Sequence, residues 1–450
     1  MSIVLPVLVL LALATINVCF CNNRSTHLNC IESERQALLK LKQDFGDESN
    51  MLASWSGDGK CCSWASVICG NLTGHVLELH LEGNLTRFLR GKISPSLADL
   101  KDLVHLDLSN NCFVDIIPPF LGSMKKLRYL NLSYGGFRGM IPPQLGNLSD
   151  LQYLDLSTHG ILTGMIPHQL GNLSNLRYLD LRGGIGLNVE NLSWLCGLSL
   201  MERLDLSGTS IPSWIFGPKD LVFLSLYGND FQGPIPNGLQ NLTSLRHFDL
   251  SRNLFNSSIP DWLHKFSFLE FFSLERSPYD FIPCGKLEDS LGQLSSLEQV
   301  DLSFNKLEGT ISEIHFVNLT RLYAFDVSKN SLSLKVSPDW IPPFQLRVLG
   351  LRSCHLGSRF PSWLPLQKNL FALDISNSTL VETISIRFWE FLSQISVLNL
   401  SHNQIHGEIP NLRETAPFGS LYLQSNSLLG PLPNMSSSRP AEINLSNNNF

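Results

Sequence analysis

Leu103 to Phe113 reads LVHLDLSNNCF, and the pattern beneath it, L-x-x-L-x-L-x-x-N-x-F, returns along the whole chain. It recurs at Leu127 (LRYLNLSYGGF) and at Leu151 (LQYLDLSTHGI). With the second leucine of the L-x-L core as a marker, copies fall at Leu108, Leu132, Leu156, Leu181, Leu206, Leu226, Leu250, Leu274, Leu302, Val327, Leu351, Ile375, Leu400, Leu423 and Leu445. Leu81 is an earlier, looser member. The step is mostly 24 or 25 residues, with one of 20 after Leu206 and one of 28 after Leu274. A unit this short cannot bury its apolar face alone; it must stack on its neighbours. The 450 residues therefore predict one long solenoid in place of the two or three globular domains that length would suggest.

The alternation in L-x-L is a strand signal, with leucines facing one way and the residues between them the other. Stacked, these strands make a parallel sheet with leucines inward and an open concave face built from the intervening residues. The Asn that follows is polar and inward-facing, suited to pairing backbone groups that a turning chain would otherwise bury unmet. It stands at 111, 229, 253, 305, 330, 403, 426 and 448, and is replaced by Gly135, His159, Gly184, Thr209, Ser277, Cys354 and Ser378. Four successive replacements (135, 159, 184, 209) predict that Gly135 to Pro218 is the least regular part of the solenoid. Many copies then carry G-x-I-P, as at Gly139–Pro142, Gly164–Pro167, Gly233–Pro236 and Gly407–Pro410, where Gly permits a turn and Pro fixes φ. A turn such as Leu145-Gly-Asn-Leu148 closes the coil on the convex side. The period and pattern are those of leucine-rich repeats, and the G-x-I-P tag resembles the plant-specific class. The expected fold is an α/β repeat: a right-handed leucine-rich-repeat solenoid with a parallel concave sheet and a helical, disulfide-bonded N-terminal cap.

Residues 3–20 are apolar, broken by Pro6 and Asn17, too short for a span and without a preceding base. With Cys19 and Cys21 at −3 and −1 of a cut before Asn22, they read as a secretory leader over 1–21. The cap is then expected over 22–75, and about 15 repeats over 76–450, ending without a closing C-terminal cap. Charged residues are only 16%, net charge is −6 and Lys/Arg run nowhere in clusters, which speaks against a nucleic-acid partner.

Cys30, Cys61, Cys62 and Cys69 lie together ahead of the repeats. In an exported chain such an even cluster reads as a disulfide framework, and the nested choice is Cys30–Cys61 with Cys62–Cys69. Zinc is the rival reading, but the paired C-x-x-C clips are absent. Ser33 followed by Gln36 suggests a capping box, and Ala37, Leu38, Leu41 and Phe45 recur at helical spacing. That stripe should cover the open end of the first coil near Val76 to Leu81, with Trp55 and Trp64 packed at the same junction.

The cap segment CCSWASVIC and the following TGHVLELHL resemble the N-terminal cap of plant leucine-rich-repeat receptors. NVENLSWLCGLSLMERLDLSG, from Asn188 to Gly208, resembles the ethylene-inducing-xylanase receptor group of receptor-like proteins. Two departures stand out: Ser66 occupies a place where the family usually has Gly, and the stretch between Thr209 and Leu221 is shorter than usual. The resemblance implies the extracellular recognition domain of a plant cell-surface receptor-like protein, in defence or development, without catalysis. Its ligand would be an extracellular protein, peptide or glycan. Its signalling partner would be a receptor kinase co-receptor. The family continues into further repeats, an acidic stretch and a membrane span, whereas this sequence stops at Phe450 inside a repeat. As given, it would be secreted to the apoplast or be an incomplete gene product. The other reading is a secreted inhibitor of a microbial cell-wall hydrolase, like the polygalacturonase-inhibiting proteins, which are shorter and close with a cysteine-bearing cap.

Catalytic signatures are missing: H-E-x-x-H, G-x-S-x-G and a phosphate loop do not occur, and no cofactor or metal is expected. His402 and His406 are four apart across a strand end and turn, where that spacing does not bring them together. Sequons predict glycan sites at Asn23, Asn71, Asn84, Asn131, Asn147, Asn172, Asn191, Asn241, Asn256, Asn318, Asn377, Asn399, Asn434 and Asn444. Most belong to a convex N-L-S/T phrase, but Asn131, Asn399 and Asn444 stand between the two leucines, on the concave face. Asp recurs in that same place at 107, 155, 180, 205, 249, 301, 326 and 374, either as repeat grammar or as a cation-binding column. Tyr129, Tyr153 and Tyr178 share another column, either stacking on one another or meeting a ligand. Phe223, Tyr227, Arg252, Phe271, Glu275, Arg276, Phe304 and Arg352 break the small polar consensus and are the candidate ligand-binding residues. Cys112, Cys196, Cys284 and Cys354 have no assigned partner; Cys354 falls at a ladder position.

Overall fold

The computed structural model describes residues 30–56, 60–158, 162–184, 186–188, 192–209, 218–229, 231–255, 259–276, 285–410, 419–432 and 442–450. The leader, the sequons at Asn23, Asn191, Asn256 and Asn434, and the positions His159, Ser277 and Cys284 lie outside those residues.

Among the described residues, 17 short strands form one long sheet. Val67–Cys69 runs antiparallel beside Val76–His80; every later pairing is parallel. Each coil adds one strand, through His105–Asp107, Tyr129–Asn131, Tyr153–Asp155, Tyr178–Asp180, Arg203–Asp205 and Phe223–Ser225 to Glu442–Asn444. The sheet stays open, because Val67–Cys69 and Glu442–Asn444 each pair on one side. Equivalent repeat positions face one another: His105 pairs Tyr129, Leu106 pairs Leu130 and Asp107 pairs Asn131. Register is fixed by the leucines, since a one-residue slip would turn all of them to solvent. Leu106 and Leu108 are 0% and 1% exposed, and the same positions stay buried through Leu421 and Leu423, opening only in the last described coil at Ile443 and Leu445. Each such side chain contributes about 1.5–3 kcal/mol of hydrophobic stabilisation, so the core grows in proportion to the number of coils.

The Asn ladder follows directly. Asn330 Nδ2 donates to the carbonyls of Leu302 (2.9 Å) and Val327 (2.8 Å), and its Oδ1 accepts Leu307 N–H (2.8 Å). Asn111, Asn253 and Asn403 do the same work in their coils. Substitutes keep part of it. Thr209 Oγ1 donates to Leu206 O (2.8 Å), Ser378 Oγ to Leu351 O (2.9 Å), and the Cys354 thiol to Val327 O (3.4 Å).

On the flank, the G-x-I-P segments pair coil to coil, as Thr163–Met165 with Gly186–Asn188 and His406–Glu408 with Ser427–Leu429. The convex side carries single 3-10 turns such as Pro143–Asn147 and His168–Asn172. Gly146 sits there because coils close up: a Cβ on it would lie 2.2 Å from Gln169 O. One coil departs from this plan. Ile386–Leu392 (α2) is a true α-helix, started by Ser385 Oγ accepting Phe388 N–H and anchored by buried Trp389.

The cap contains helix α1, Glu32–Asp44. The expected capping box at Ser33 and Gln36 is corrected: Ile31 is the N-cap, with no side-chain cap, and Ser33 lies within the first turn. The turn is supported instead by Glu32 and Glu34 at the positive helix end, Glu32 accepting from Arg35 (2.8 Å) and Gln36 (2.7 Å). Ala37, Leu38, Leu41 and Phe45 are all buried, and Ser96 Oγ donates to Ala37 O (3.1 Å). Buried Glu34 ties the helix to the first coil, accepting Val76 N–H (2.8 Å) beside His75 Nδ1 (2.8 Å). Trp55 and Trp64 stack at 5.7 Å. Cys30–Cys61 and Cys62–Cys69 are bonded, with Cα separations of 5.5 and 5.4 Å.

Candidate functional site

The concave face has three side-chain columns per strand and a fourth at the turn beyond it. The first begins at His105. Pairing sets His105, Tyr129, Tyr153, Tyr178, Arg203, Phe223, His247 and Phe271 in successive coils. Their planar groups stack almost without a break. His105–Tyr129, Tyr129–Tyr153 and Tyr153–Tyr178 centroids are 4.0, 4.2 and 4.0 Å apart. Arg203 fills the gap, its guanidinium 5.3 Å from the Tyr178 centroid and 3.4 Å from that of Phe223. Phe223–His247 and His247–Phe271 follow at 4.0 and 4.2 Å. Face-to-face stacking leaves ring edges, and no faces, toward solvent along most of the row. The three tyrosines and the candidates Phe223 and Phe271 are thus one structure. Sequence reasoning set all five in one column but gave the tyrosines and the two phenylalanines different roles. It missed His105, Arg203 and His247, whose planarity was the available signal.

The second column is the acid row. Asp107, Asp155, Asp180 and Asp205 are buried, and each accepts the backbone N–H of the residue two positions on, at 2.9, 2.9, 3.0 and 3.1 Å. The carboxylate closes the strand end, a structural duty. Asp249, Asp301, Asp326 and Asp374 make the same bond. Burial raises the pKa values of Asp155, Asp180, Asp249, Asp301 and Asp326. Burial, with Asp205 and Asp155 alongside, holds Asp180 at about 7; burial and the neighbouring Asp301 hold Asp326 at about 6. Burial and then the Arg203 charge push His247 down to about 3, so it stacks as a neutral ring.

Asn131 and Asn399 belong to this column. At Asn131 the expectation of a glycan is corrected: the side chain is 9% exposed, its Nδ2 donates to Asp107 Oδ2 (3.1 Å) and its Oδ1 accepts from Ser133, which leaves no room for a sugar. Asn399 bonds Asp374 and Ser401 likewise but is only half-buried. By contrast Asn71, Asn84, Asn147, Asn172, Asn241, Asn318 and Asn377 are exposed.

The third and turn columns hold the remaining candidates. Tyr227, Glu275 and Arg352 replace the usual Ser after the second leucine; Arg252, Arg276 and Phe304 come one residue later. The turn column is left-handed in most coils, with φ of +54° at Asn110, +51° at Arg252, +61° at Phe304 and +60° at Lys329. Gly and Asn suit that conformation; Arg, Phe and Lys do not. The structure brings Tyr227, Arg252 and Glu275 together: Arg252 lies 5.2 Å from the Tyr227 ring centroid and 3.8 Å from Glu275 Oε2. Phe304 and Arg352 lie further along the same rim. Arg276 is corrected as a surface candidate: it is 3% exposed, so its guanidinium is closed off from this face. Cys354 is buried in the ladder, where burial pushes its thiol up to about 12.

No helix among the described residues is long and apolar enough to cross a membrane. Comparison with known proteins places these features. The chain is 45% identical over 128 residues to Receptor-like protein EIX1 of Solanum lycopersicum, covering 28% of this chain and 12% of that one. It is 39% identical over 127 residues to Receptor-like protein EIX2 of the same plant, with 28% and 12% covered. The matched stretch thus spans about an eighth of either relative. A crystal structure of a TDR receptor superimposes with a TM-score of 0.68 at 25% identity, covering 84% of this chain and 65% of that chain. The model for the leucine-rich repeat N-terminal domain matches residues 31–70 and that for a leucine-rich repeat region matches 162–422, more than half of the sequence, so this chain belongs to the leucine-rich-repeat proteins.

Proposed function

We propose that this chain is the ligand-recognition part of a plant cell-surface receptor-like protein. It binds an extracellular protein, peptide or glycan on its concave face and signals through a receptor kinase partner. The observation that carries this reading is the cluster Tyr227–Arg252–Glu275. There, three consecutive coils replace Ser, the left-handed-compatible Gly or Asn, and Ser again with an aromatic, a cation and an anion in mutual contact. Arg252 costs the solenoid left-handed strain, and none of the three is part of its core, whereas Tyr and Arg are the types that anchor interfaces. The similarity to the two tomato receptor-like proteins supports the receptor setting.

The test uses the secreted, plant-expressed chain immobilised on a biosensor. Fractionated microbial culture filtrate and a purified ethylene-inducing xylanase are passed over it. Saturable binding is expected, weakened about tenfold or more by Tyr227→Ala with Arg252→Ala. Binding that ignores both substitutions, yet is abolished by changes on the convex turn 143–147, would move the site off the concave face.

A further inference from the structure

The bases on the concave face do not all stand alike. Arg182 meets Asp180 at 3.2 Å and Asp205 at 4.0 Å. Arg203 lies between two rings and 4.0 Å from Asp205. Arg252 has Tyr227 and Glu275. Lys329 and Arg352 sit on adjacent coils, joined by Lys329 N–H donating to Arg352 O at 2.6 Å. Neither has a carboxylate within 4.0 Å among the described residues.

The nearby acids are committed elsewhere. Asp374 Oδ1 accepts Ser376 N–H (2.9 Å) and Oγ–H (2.6 Å), and its Oδ2 accepts Asn399 (3.1 Å). Asp326 accepts Ser328 N–H (2.8 Å) and leans over Gly350, where a Cβ would come within 2.3 Å of its carboxyl. Desolvation and then the Arg352 charge lower the Lys329 ammonium, as expected for a cation whose neighbour is another cation. Phe304, half-buried one coil earlier, donates its N–H to Ser328 O at 2.9 Å and flanks the pair. Phe304 and Lys329 both hold left-handed backbone, at +61° and +60°. Two like charges with no carboxylate within 4.0 Å among the described residues, beside a ring in a disfavoured conformation, stabilise little in the solenoid.

We propose that Phe304, Lys329 and Arg352 form an anion-receiving subsite on the ligand-binding face, and that its occupant is a peptide segment carrying a carboxylate beside an apolar residue. The subsite rests on the concave-face reading above. A peptide fits better than an acidic glycan. Asp249, Glu275, Asp301 and Asp326 stand on the same face in the coils before and beside the pair, so a polyanion would meet a row of carboxyl groups along its length. A peptide offers one carboxylate among residues of other kinds.

The probe is a phage-displayed library of random peptides, panned on the secreted chain and on the Lys329→Gln/Arg352→Gln double variant. Equal melting temperatures of the two proteins confirm that both fold. The expected result is a wild-type consensus with Asp or Glu beside an apolar residue. A synthetic consensus peptide should then bind the double variant about tenfold or more weakly. Peptides that bind both proteins equally, yet lose affinity on Tyr227→Ala, would overturn the subsite and leave the ligand-binding face standing. Trigalacturonate binding lost in the double variant, with no peptide consensus, would overturn the peptide assignment. A library that enriches nothing over an unrelated solenoid would remove both readings.

Discussion

Replacing Asn330 by Ala tests what holds one coil on the next. The side chain makes four bonds in the buried ladder: Nδ2 to the carbonyls of Leu302, Val327 and Ser328, and Oδ1 from Leu307 N–H. Two carbonyls survive its loss, because Asn305 Nδ2 also reaches Leu302 O (3.0 Å) and Phe304 N–H also reaches Ser328 O (2.9 Å). Two groups do not. Leu307 N–H loses its acceptor, and Val327 O keeps only the Cys354 thiol at 3.4 Å, a weak donor. Each buried orphan costs about 1–3 kcal/mol, so Asn330→Ala should cost about 2–5 kcal/mol. Asn330→Thr should cost less. Thr209, at the equivalent position, shows that a hydroxyl reaches the carbonyl of its own coil's second leucine, Leu206 O (2.8 Å). It would spare Val327 O and strand only Leu307 N–H. A solenoid unfolds in parts, so the assay is local: amide hydrogen exchange by mass spectrometry over peptides covering 302–334. Alanine should speed exchange there by about thirtyfold or more, with threonine intermediate. Equal exchange in Asn330→Ala and wild type, or threonine as damaging as alanine, would refute this count of bonds.

Ser66 holds φ of +69°, so Ser66→Gly should relieve about 1–2 kcal/mol of left-handed strain and lose about 0.4–1 kcal/mol to unfolded-chain entropy. The cap should gain a few tenths to about 1 kcal/mol, read as a higher denaturant midpoint; a lower midpoint contradicts the argument. Stability should rise as pH falls from 8 to about 5.5. The native chain takes up protons at Asp180 (about 7) and Asp326 (about 6), while unfolded carboxylates stay ionised until about 3.9. His75, raised by its hydrogen bond to Glu34, works the same way: its contribution is full below about 6.5 and lost as pH climbs through the raised folded value. His247, depressed to about 3, opposes both below about 6.5. A melting temperature flat or falling from pH 8 to 5.5 at fixed ionic strength would be inconsistent with the acid row. Glycopeptide mapping should find sugar at Asn147, Asn172, Asn241 and Asn318 and none at Asn131. Hydrogen exchange should be faster over 135–218 than over the repeats after Leu226, since the ladder there has Gly135, Gly184 and Thr209 in place of Asn; equal rates would contradict it.

Much of the fold was legible because one period governs it. A repeat that must place Leu106, Leu130 and Leu154 on one inner surface leaves a single register, and the leucine spacing states it outright. The cysteine pairing in the cap was legible for the same reason: few nested arrangements exist within so short a segment. Ser33 misled because a capping box is a local pattern, and the helix is capped two residues earlier, at Ile31, where Glu34 had to reach Val76 N–H across 42 residues of chain. Helix α2 was missed because the convex side of each coil tolerates either kind of turn. The choice at Ile386 depends on Trp389 finding a buried place, which period alone does not reveal. At the site, sequence could say which residues broke consensus but not which way they faced. Arg252 and Arg276 occupy equivalent repeat positions, yet one is exposed and the other 3% exposed.

That difference bears on where recognition can occur. The first column of the concave face is a stacked row from His105 to Phe271, and the second is a row of acids closing strand ends. Both are occupied by the needs of the solenoid, so a ligand lying on them meets ring edges and carboxylates of which one oxygen is already engaged. Freedom to vary without loss of core packing remains in the third column and at the turn. There the residue after the second leucine changes from Ser to Tyr227, Glu275 or Arg352, and the left-handed position accepts Arg252, Phe304 or Lys329 at a cost in strain. Specificity in this chain should therefore concentrate along one rim of the concave face, over the coils from Tyr227 to Arg352. Exchanging those rim residues between two such chains should exchange their ligands, while exchanging the aromatic row should change stability and leave the ligand alone.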